Sequence, residues 1–159
     1  MKTMLIRFLE RGLIALLLAC FGAVALQSRP LWAPPMPVCV TPSITYVDDD
    51  WVGTPANADP DGAGPATQFG CDSFATVQGG VSGVTIGGNV LVAAGTYLEA
   101  QVLITKSVTV TGAGAATTTI DGQSTAPLTA GLVRIEPPAG DTGSVGFSGF
   151  TVTNPGSGL

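Results

Sequence analysis

From residue 89 onward, apolar side chains recur in alternating pairs with small or polar residues between them: Val90/Val92, Val108/Val110, Val133/Ile135 and Phe150/Val152. Alternation with a period of two predicts strands with one buried face. The pairs start 18, 25 and 17 residues apart, a mean of 20. A second set, Val102/Ile104 and Thr118/Ile120, interleaves with the first at a spacing of 16. Gly95, Gly112, Gly114 and Gly122 fall between the runs as turn positions. An irregular repeat of about 20 residues with two or more strands in it is a solenoid signal. A β-sandwich also uses short alternating strands, but two-residue hairpin turns are missing, and this favours the solenoid.

The pattern therefore predicts an all-β chain built as a parallel β-helix, in which each coil gives one strand to each of several stacked sheets. Inward residues of successive coils pile into apolar ladders and outward ones are polar. SVTVTG fits this division, with Val108 and Val110 inward and Ser107, Thr109 and Thr111 outward. LVRIEP places Arg134 and Glu136 outward as a surface pair, and Asp121 in TIDG is expected to shape a turn.

Ahead of the strands the period changes. In DSFATVQGGVSGV, residues 72–84, Phe74, Val77 and Val81 stand at i, i+3 and i+7, one face of a helix. Asp72 or Ser73 is the expected N-cap, and Gly79 and Gly80 keep the helix short. Such a helix is placed to cap the apolar end of the strand region.

Residues 45–72 open with a short strand, Thr45–Val47, and continue as an acidic, Gly/Pro-rich loop. So long a loop in a compact domain calls for a reason, and ion binding and disulfide closure are the two candidates. Asn57-Ala-Asp59-Pro-Asp61-Gly62 fits the opening N-x-D-x-D-G of a calcium loop. The twelfth position holds Gln68 where such loops carry a bidentate Glu. A solvated turn is the alternative reading. Ca2+ at Asn57, Asp59 and Asp61 is the one cofactor the sequence suggests. Asp48, Asp49 and Asp50 are either further carboxylates for it or a solvated strand end.

The first residues belong to another regime. MKTMLIRFLERG carries Lys2, Arg7 and Arg11, and LIALLLACFGAVAL, residues 13–26, then runs apolar for 14 residues. That is short of the roughly 20 needed to span a bilayer. A basic start, a short apolar core and Ala23-Val24-Ala25 read as a secretory signal cleaved after Ala25. Leu17-Leu18-Ala19-Cys20 loosely matches a lipobox, which would make Cys20 a lipidated N-terminus; an uncleaved anchor is the third reading. Residues 26–44 follow as a Pro-rich linker.

Of 159 residues, 22 are Gly and 12 are Pro, yet 45% are hydrophobic, which argues for a turn-rich folded domain over disorder. Removing residues 1–25 leaves 3 basic and 10 acidic residues, a net charge of −7. No basic patch is available for nucleic acid. The chain has no histidine, which excludes Ser-His-Asp and Cys-His catalysis and any His-based zinc site within it. In an oxidising compartment Cys39 and Cys71 form an expected disulfide closing 33 residues, worth about 3–4 kcal/mol on the chain-entropy model. Two unpaired thiols are the alternative.

FATVQGGV, then GNVLVAAGTYLEAQVLITKSVTVTGAG, then GFSGFTVTN, together with the leading YVDDDW, resemble the start of pectin-lyase-like right-handed parallel β-helix proteins of the bacterial exported kind. The matching positions include Phe74, Thr76 and Gln78, then Gly88, Val90, Gly95, Tyr97 and Glu99, then Lys106, Ser107, Gly112 and Gly114. Residues 73–159 would then be a capping helix and the N-terminal coils only of a longer protein, since the chain ends just after a strand.

In that frame Gly95 permits a tight turn, Tyr97 packs, and Glu99 is a solvated carboxylate. No catalytic residue is assigned, because glycoside chemistry wants a carboxylate pair about 5–10 Å apart and no outward pair is evident. The resemblance implies an exported or cell-surface module that is non-catalytic, glycan-binding or adhesin-like. The alternative is the N-terminal fragment of a carbohydrate-active enzyme (lyase, hydrolase or pectin-methylesterase-like) with its active site downstream. The expected partner is a polysaccharide or surface glycan, not nucleic acid, and contact with a membrane is expected only through the signal segment or a lipid anchor.

Overall fold

A computed structural model of the chain describes residues 38–123 and 131–154. The signal segment with Ala25 and Cys20, and most of the Pro-rich linker, lie outside these residues. The described chain is mostly β, with ten short strands, one α-helix and a single 3-10 turn at Asp49–Trp51. The strands are β1 (Ile44–Val47), β2 (Ser73–Phe74), β3 (Asn89–Val92), β4 (Gly95–Leu98), β5 (Val102–Ile104), β6 (Val108–Gly112), β7 (Thr118–Asp121), β8 (Val133–Ile135), β9 (Val145–Ser148) and β10 (Thr151–Thr153). The helix, α1, is Val77–Gly83.

Three sheets result, ordered β2-β1-β3-β6-β9, β10-β7-β4 and β5-β8. Every pairing between these strands is parallel. Strands β3, β4 and β5 enter the first, second and third sheets in turn, β6, β7 and β8 do the same, and β9 and β10 start the rotation again. Parallel neighbours need a crossover rather than a tight turn, which accounts for the missing hairpin signals in the sequence. An antiparallel sandwich is thereby excluded.

Register decides which side chains stack. In the first sheet Thr45, Val90, Val110 and Phe147 align, and so do Val47, Val92 and Gly112. In the second, Tyr97 lies beside Ile120 and Ile120 beside Val152. In the third, Val102 pairs with Val133 and Ile104 with Ile135. Val47, Val90, Val92, Tyr97, Val102, Ile104, Val108, Val110 and Ile120 are all buried in one core. Each such side chain contributes roughly 1.5–3 kcal/mol by leaving water. The rows of β-branched residues suit the pleated surface, where their stiff χ1 costs little.

The pairs seen in the sequence are real strand faces, but they sort differently from the expectation. Val133/Ile135 does not continue the row of Val90 and Val108/Val110; it sits in the third sheet. Phe147 continues that row instead. Phe150 precedes β10 rather than belonging to it, and its ring stacks on Phe147 at 4.5 Å between centroids. Ser107 is buried rather than outward, with its hydroxyl donating to Asp141 Oδ1 at 2.6 Å. Arg134 and Glu136 do form an ion pair on the surface. Asp121 shapes the turn as expected, accepting from the Gln123 amide at 2.8 Å.

The helix is shorter than the sequence suggests. Phe74 belongs to β2 and pairs with Val47. The N-cap is Thr76, not Asp72 or Ser73, and its hydroxyl accepts from the Gly79 amide at 3.1 Å. Val77, Gly80 and Val81 are buried against the first sheet. Gly80 has a packing reason: a Cβ there would lie 2.5 Å from Val47 Cγ2 and 2.9 Å from Val90 Cγ1. Gly95 likewise marks a close approach rather than a turn, since it begins β4 and its Cβ would collide with the Asp49 carboxylate.

Candidate functional site

Two clefts flank the segment that follows β1. The larger, about 390 Å³, lies over the outer face of the first sheet. Its floor is set by register: Tyr46 on β1, Leu91 on β3 and Thr111 on β6 are direct neighbours in the ladder. Adjacent strands sit about 4.8 Å apart, so the three side chains span roughly 10 Å. Trp51 from the 3-10 turn, Asp48 from that turn's N-cap, and Asp61 from the acidic loop form its walls.

Each wall residue is held by backbone. Asp48 Oδ1 accepts from the Asp50 amide at 3.0 Å, which starts the turn carrying Trp51. Asp61 accepts from the Gly64 amide at 3.1 Å and the Ala66 amide at 3.2 Å. The loop is tied down further by Asn57 N–H to Phe69 O and Phe69 N–H to Ala58 O, both 2.8 Å. Asp72 accepts from the Thr67 hydroxyl at 2.5 Å and from the Gln68 amide at 2.7 Å. Partial burial pushes the Asp72 carboxyl up, but these bonds outweigh it and hold it below the usual carboxylate value. Cys39 and Cys71 are joined by a disulfide with Cα atoms 5.5 Å apart. The long loop is thus a fixed wall.

The residues suggested for calcium are part of this wall. Asp59 Oδ1 caps the amides of Asp61 and Gly62, at 3.2 and 2.8 Å, and Asn57 Oδ1 accepts from the Gln68 side-chain amide at 2.8 Å. Their oxygens serve the loop's own donors. Among the described residues, the carboxylates that do gather are Asp48, Asp49 and Asp50, each offering one oxygen within 4.8 Å of the others. Three such oxygens have the hard-ligand character a divalent cation prefers.

The smaller cleft, about 290 Å³, opens between the 3-10 turn and the start of α1 and is lined by Asp49, Thr76, Thr96, Leu98 and Glu99. Asp49 Oδ2 accepts from the Thr96 amide at 2.9 Å. Glu99 is not the solvated carboxylate the sequence suggests; only 8% of it is exposed. Its Oε1 accepts from the Val77 amide at 2.5 Å and its Oε2 from the Gln78 amide at 2.9 Å. Burial raises its pKa above the ordinary value, and the two amide bonds oppose that rise. Tyr97 packs in the core, as expected, with its hydroxyl donating to Ala93 O at 3.0 Å. Burial, then the nearby charges of Asp49 and Asp48, push this phenol well above its usual range. Both Glu99 oxygens bond the first turn of α1, so on this side of the cleft Glu99 anchors the helix.

The far end of α1 is held by Lys106, whose ammonium donates to the carbonyls of Ser82, at 3.2 Å, and Val84. A carboxylate at the helix N-terminus and an ammonium at its C-terminus both complement the helix dipole. Of the two clefts, the one over the first sheet has the more varied chemistry: the aromatic Tyr46 and Trp51, aliphatic residues that include Leu91, the Thr111 hydroxyl, and the carboxylates of Asp48 and Asp61. The sequence signal for it was the outward parity of Tyr46 and Leu91; Trp51 had no comparable signal. Comparison with family models, with curated proteins and with solved structures gives no match for this chain.

Proposed function

We propose that the chain is an exported or cell-surface module, built as a right-handed parallel β-helix of pectin-lyase-like type, that binds glycans without cutting them. The rotation of successive strands through three parallel sheets supports the architecture. Crossovers between parallel strands of one sheet are right-handed almost without exception. The single observation that carries the function is the cleft in which Trp51, Tyr46 and Leu91 stand beside Asp48 and Asp61. Sugar rings present apolar C–H faces and rims of hydroxyl donors. Aromatic side chains match the first at low entropic cost and carboxylates match the second. The floor spans roughly 10 Å, which suits a short stretch of oligosaccharide.

The mature chain contains Trp32 and Trp51, so a Trp32→Phe background isolates the cleft fluorophore. Titration with oligosaccharides should shift Trp51 fluorescence saturably. Trp51→Ala, followed by calorimetry, should weaken binding by about tenfold or more, as expected for loss of a central aromatic contact. Absence of any saturable shift across neutral and acidic oligosaccharides sinks the binding reading. Release of reducing ends or unsaturated products by the purified chain sinks its non-catalytic half.

A further inference from the structure

The charge of the cleft decides which glycans it takes. We infer that it selects uncharged sugars and rejects polyuronates, an inference that rests on the glycan-binding reading above. Asp48 and Asp61 line the cleft, and Asp49 and Asp50 adjoin it on the same turn. The described residues contain two cationic side chains, Lys106 and Arg134. Lys106 is spent on the carbonyls of Ser82 and Val84 at the end of α1, and Arg134 is paired with Glu136 on β8 and the residue after it. Neither lines the cleft.

A sugar carboxylate would enter beside fixed carboxylates, with no cation among the described residues to meet it. Like charges brought together in a partly desolvated cleft act as a specificity device by repulsion. The same carboxylates favour a neutral sugar. A carboxylate offers about four acceptor sites. Asp61 uses two of them on the amides of Gly64 and Ala66, and Asp48 uses one on the amide of Asp50. The remaining sites can accept from sugar hydroxyls, which carry donors and no charge.

The test is calorimetric titration of the mature protein, in EDTA at low salt, with cellotetraose, galactotetraose and tetragalacturonic acid. At least one neutral tetrasaccharide should bind about tenfold or more tightly than the uronate, a gap that added salt narrows. Asp48→Asn combined with Asp61→Asn should weaken the neutral ligand and strengthen the uronate. Because Asp61 also ties its loop, Asp48→Asn alone, checked by its melting curve, provides a second variant.

Uronate binding as tight as the neutral sugars in EDTA overturns the inference while leaving the glycan-binding reading standing. So does a selectivity ratio that neither variant changes. Uronate binding that overtakes the neutral sugars once calcium is added also overturns it, and points to cation bridging at Asp48, Asp49 and Asp50. If no probe binds and Trp51→Ala changes nothing, the glycan-binding reading itself fails and this inference falls with it.

Discussion

Glu99 shows how one side chain can organise an element. Its two oxygens satisfy the amides of Val77 and Gln78, donors that a helix N-terminus leaves orphaned. Truncating Glu99→Ala removes the acceptor of both, and should cost about 2–3 kcal/mol in urea unfolding. Glu99→Gln restores one acceptor and sets an NH2 group against the other amide, so its cost should be intermediate.

The pH dependence has a definite sign. A carboxyl whose folded pKa is raised contributes stability that is complete below its ordinary value of 4.5 and is lost as pH rises through the folded value. The cost of Glu99→Gln should therefore be larger at pH 4 than at pH 7. Asp141 behaves oppositely. The Ser107 hydroxyl, then the Gly143 and Ser107 amides, hold its carboxyl below the ordinary value of 3.8. Its contribution is present at neutral pH and is lost on acidification, so the cost of Asp141→Asn should shrink as pH falls below about 4. Opposite slopes in the two melting series check both assignments; equal slopes contradict them.

The position of Glu99 was open to inference. Tyr97 and Glu99 share strand parity, so an inward Tyr97 implies an inward Glu99. What parity alone does not supply is the partner, a helix start more than 20 residues earlier in the chain.

At the scale of elements, α1 sets intrinsic propensity against packing. Gly79, Gly80 and Gly83 make it a poor helix by itself, and replacing a helical Gly by Ala ordinarily gains up to about 1 kcal/mol. At Gly80 the new methyl would meet Val47 Cγ2 at 2.5 Å and Val90 Cγ1 at 2.9 Å. Overpacking of that kind costs about 1–3 kcal/mol, so the penalty wins. Gly80→Ala should lower the melting temperature, and calorimetry showing an increase would contradict the close approach.

Strand identity was legible where valines and isoleucines alternate on a buried face, as in β3, β5 and β6, and was missed at β2, β4 and β9. Strand order was less legible. The mean period of 20 treats every pair as one series, whereas β5 and β8 start 31 residues apart and β6 and β9 start 37 apart. Connections of unequal length break the count without disturbing the parallel pairing, so spacing located several strands and misassigned their neighbours. Phe147 was the missed link. It shares parity with Val145 across Gly146, and the neighbouring Phe150/Val152 pair drew the count past it.

At the scale of the whole molecule, the candidate site depends on a loop with no regular structure of its own. The covalent tie from Cys39 to Cys71 spans 32 positions. Its removal by Cys39→Ser with Cys71→Ser should cost about 3–4 kcal/mol. Because Asp61 and Trp51 lie within that span, sugar binding should weaken as well. Parallel melting and titration of the oxidised and reduced protein tests this, and unchanged affinity on reduction would show that hydrogen bonds alone hold the wall. The loop chemistry was partly visible in the sequence: a turn built from Asp, Pro and Gly was one of the two readings, and Asp59 does accept from the Asp61 and Gly62 amides. Their assembly with Tyr46 and Leu91 into one cleft was not, since it joins a loop to a sheet face through tertiary contacts that no local pattern encodes.

The anchoring of α1 also sets an order of events. Seven residues with three glycines are far too few to persist as a free helix. Its clamps are Glu99, Lys106 and the backbone of Leu103, which exchanges hydrogen bonds with the Gln78 side chain, and they are between 21 and 25 residues downstream of the groups they hold. A chain that emerges from its N-terminus therefore releases this segment as open coil. Only when residue 106 is free can the helix close over Val47 and Val90. Until then the apolar end of the first sheet has no lid, and the nascent chain passes through a stage in which its most valine-rich surface is available to any other chain nearby.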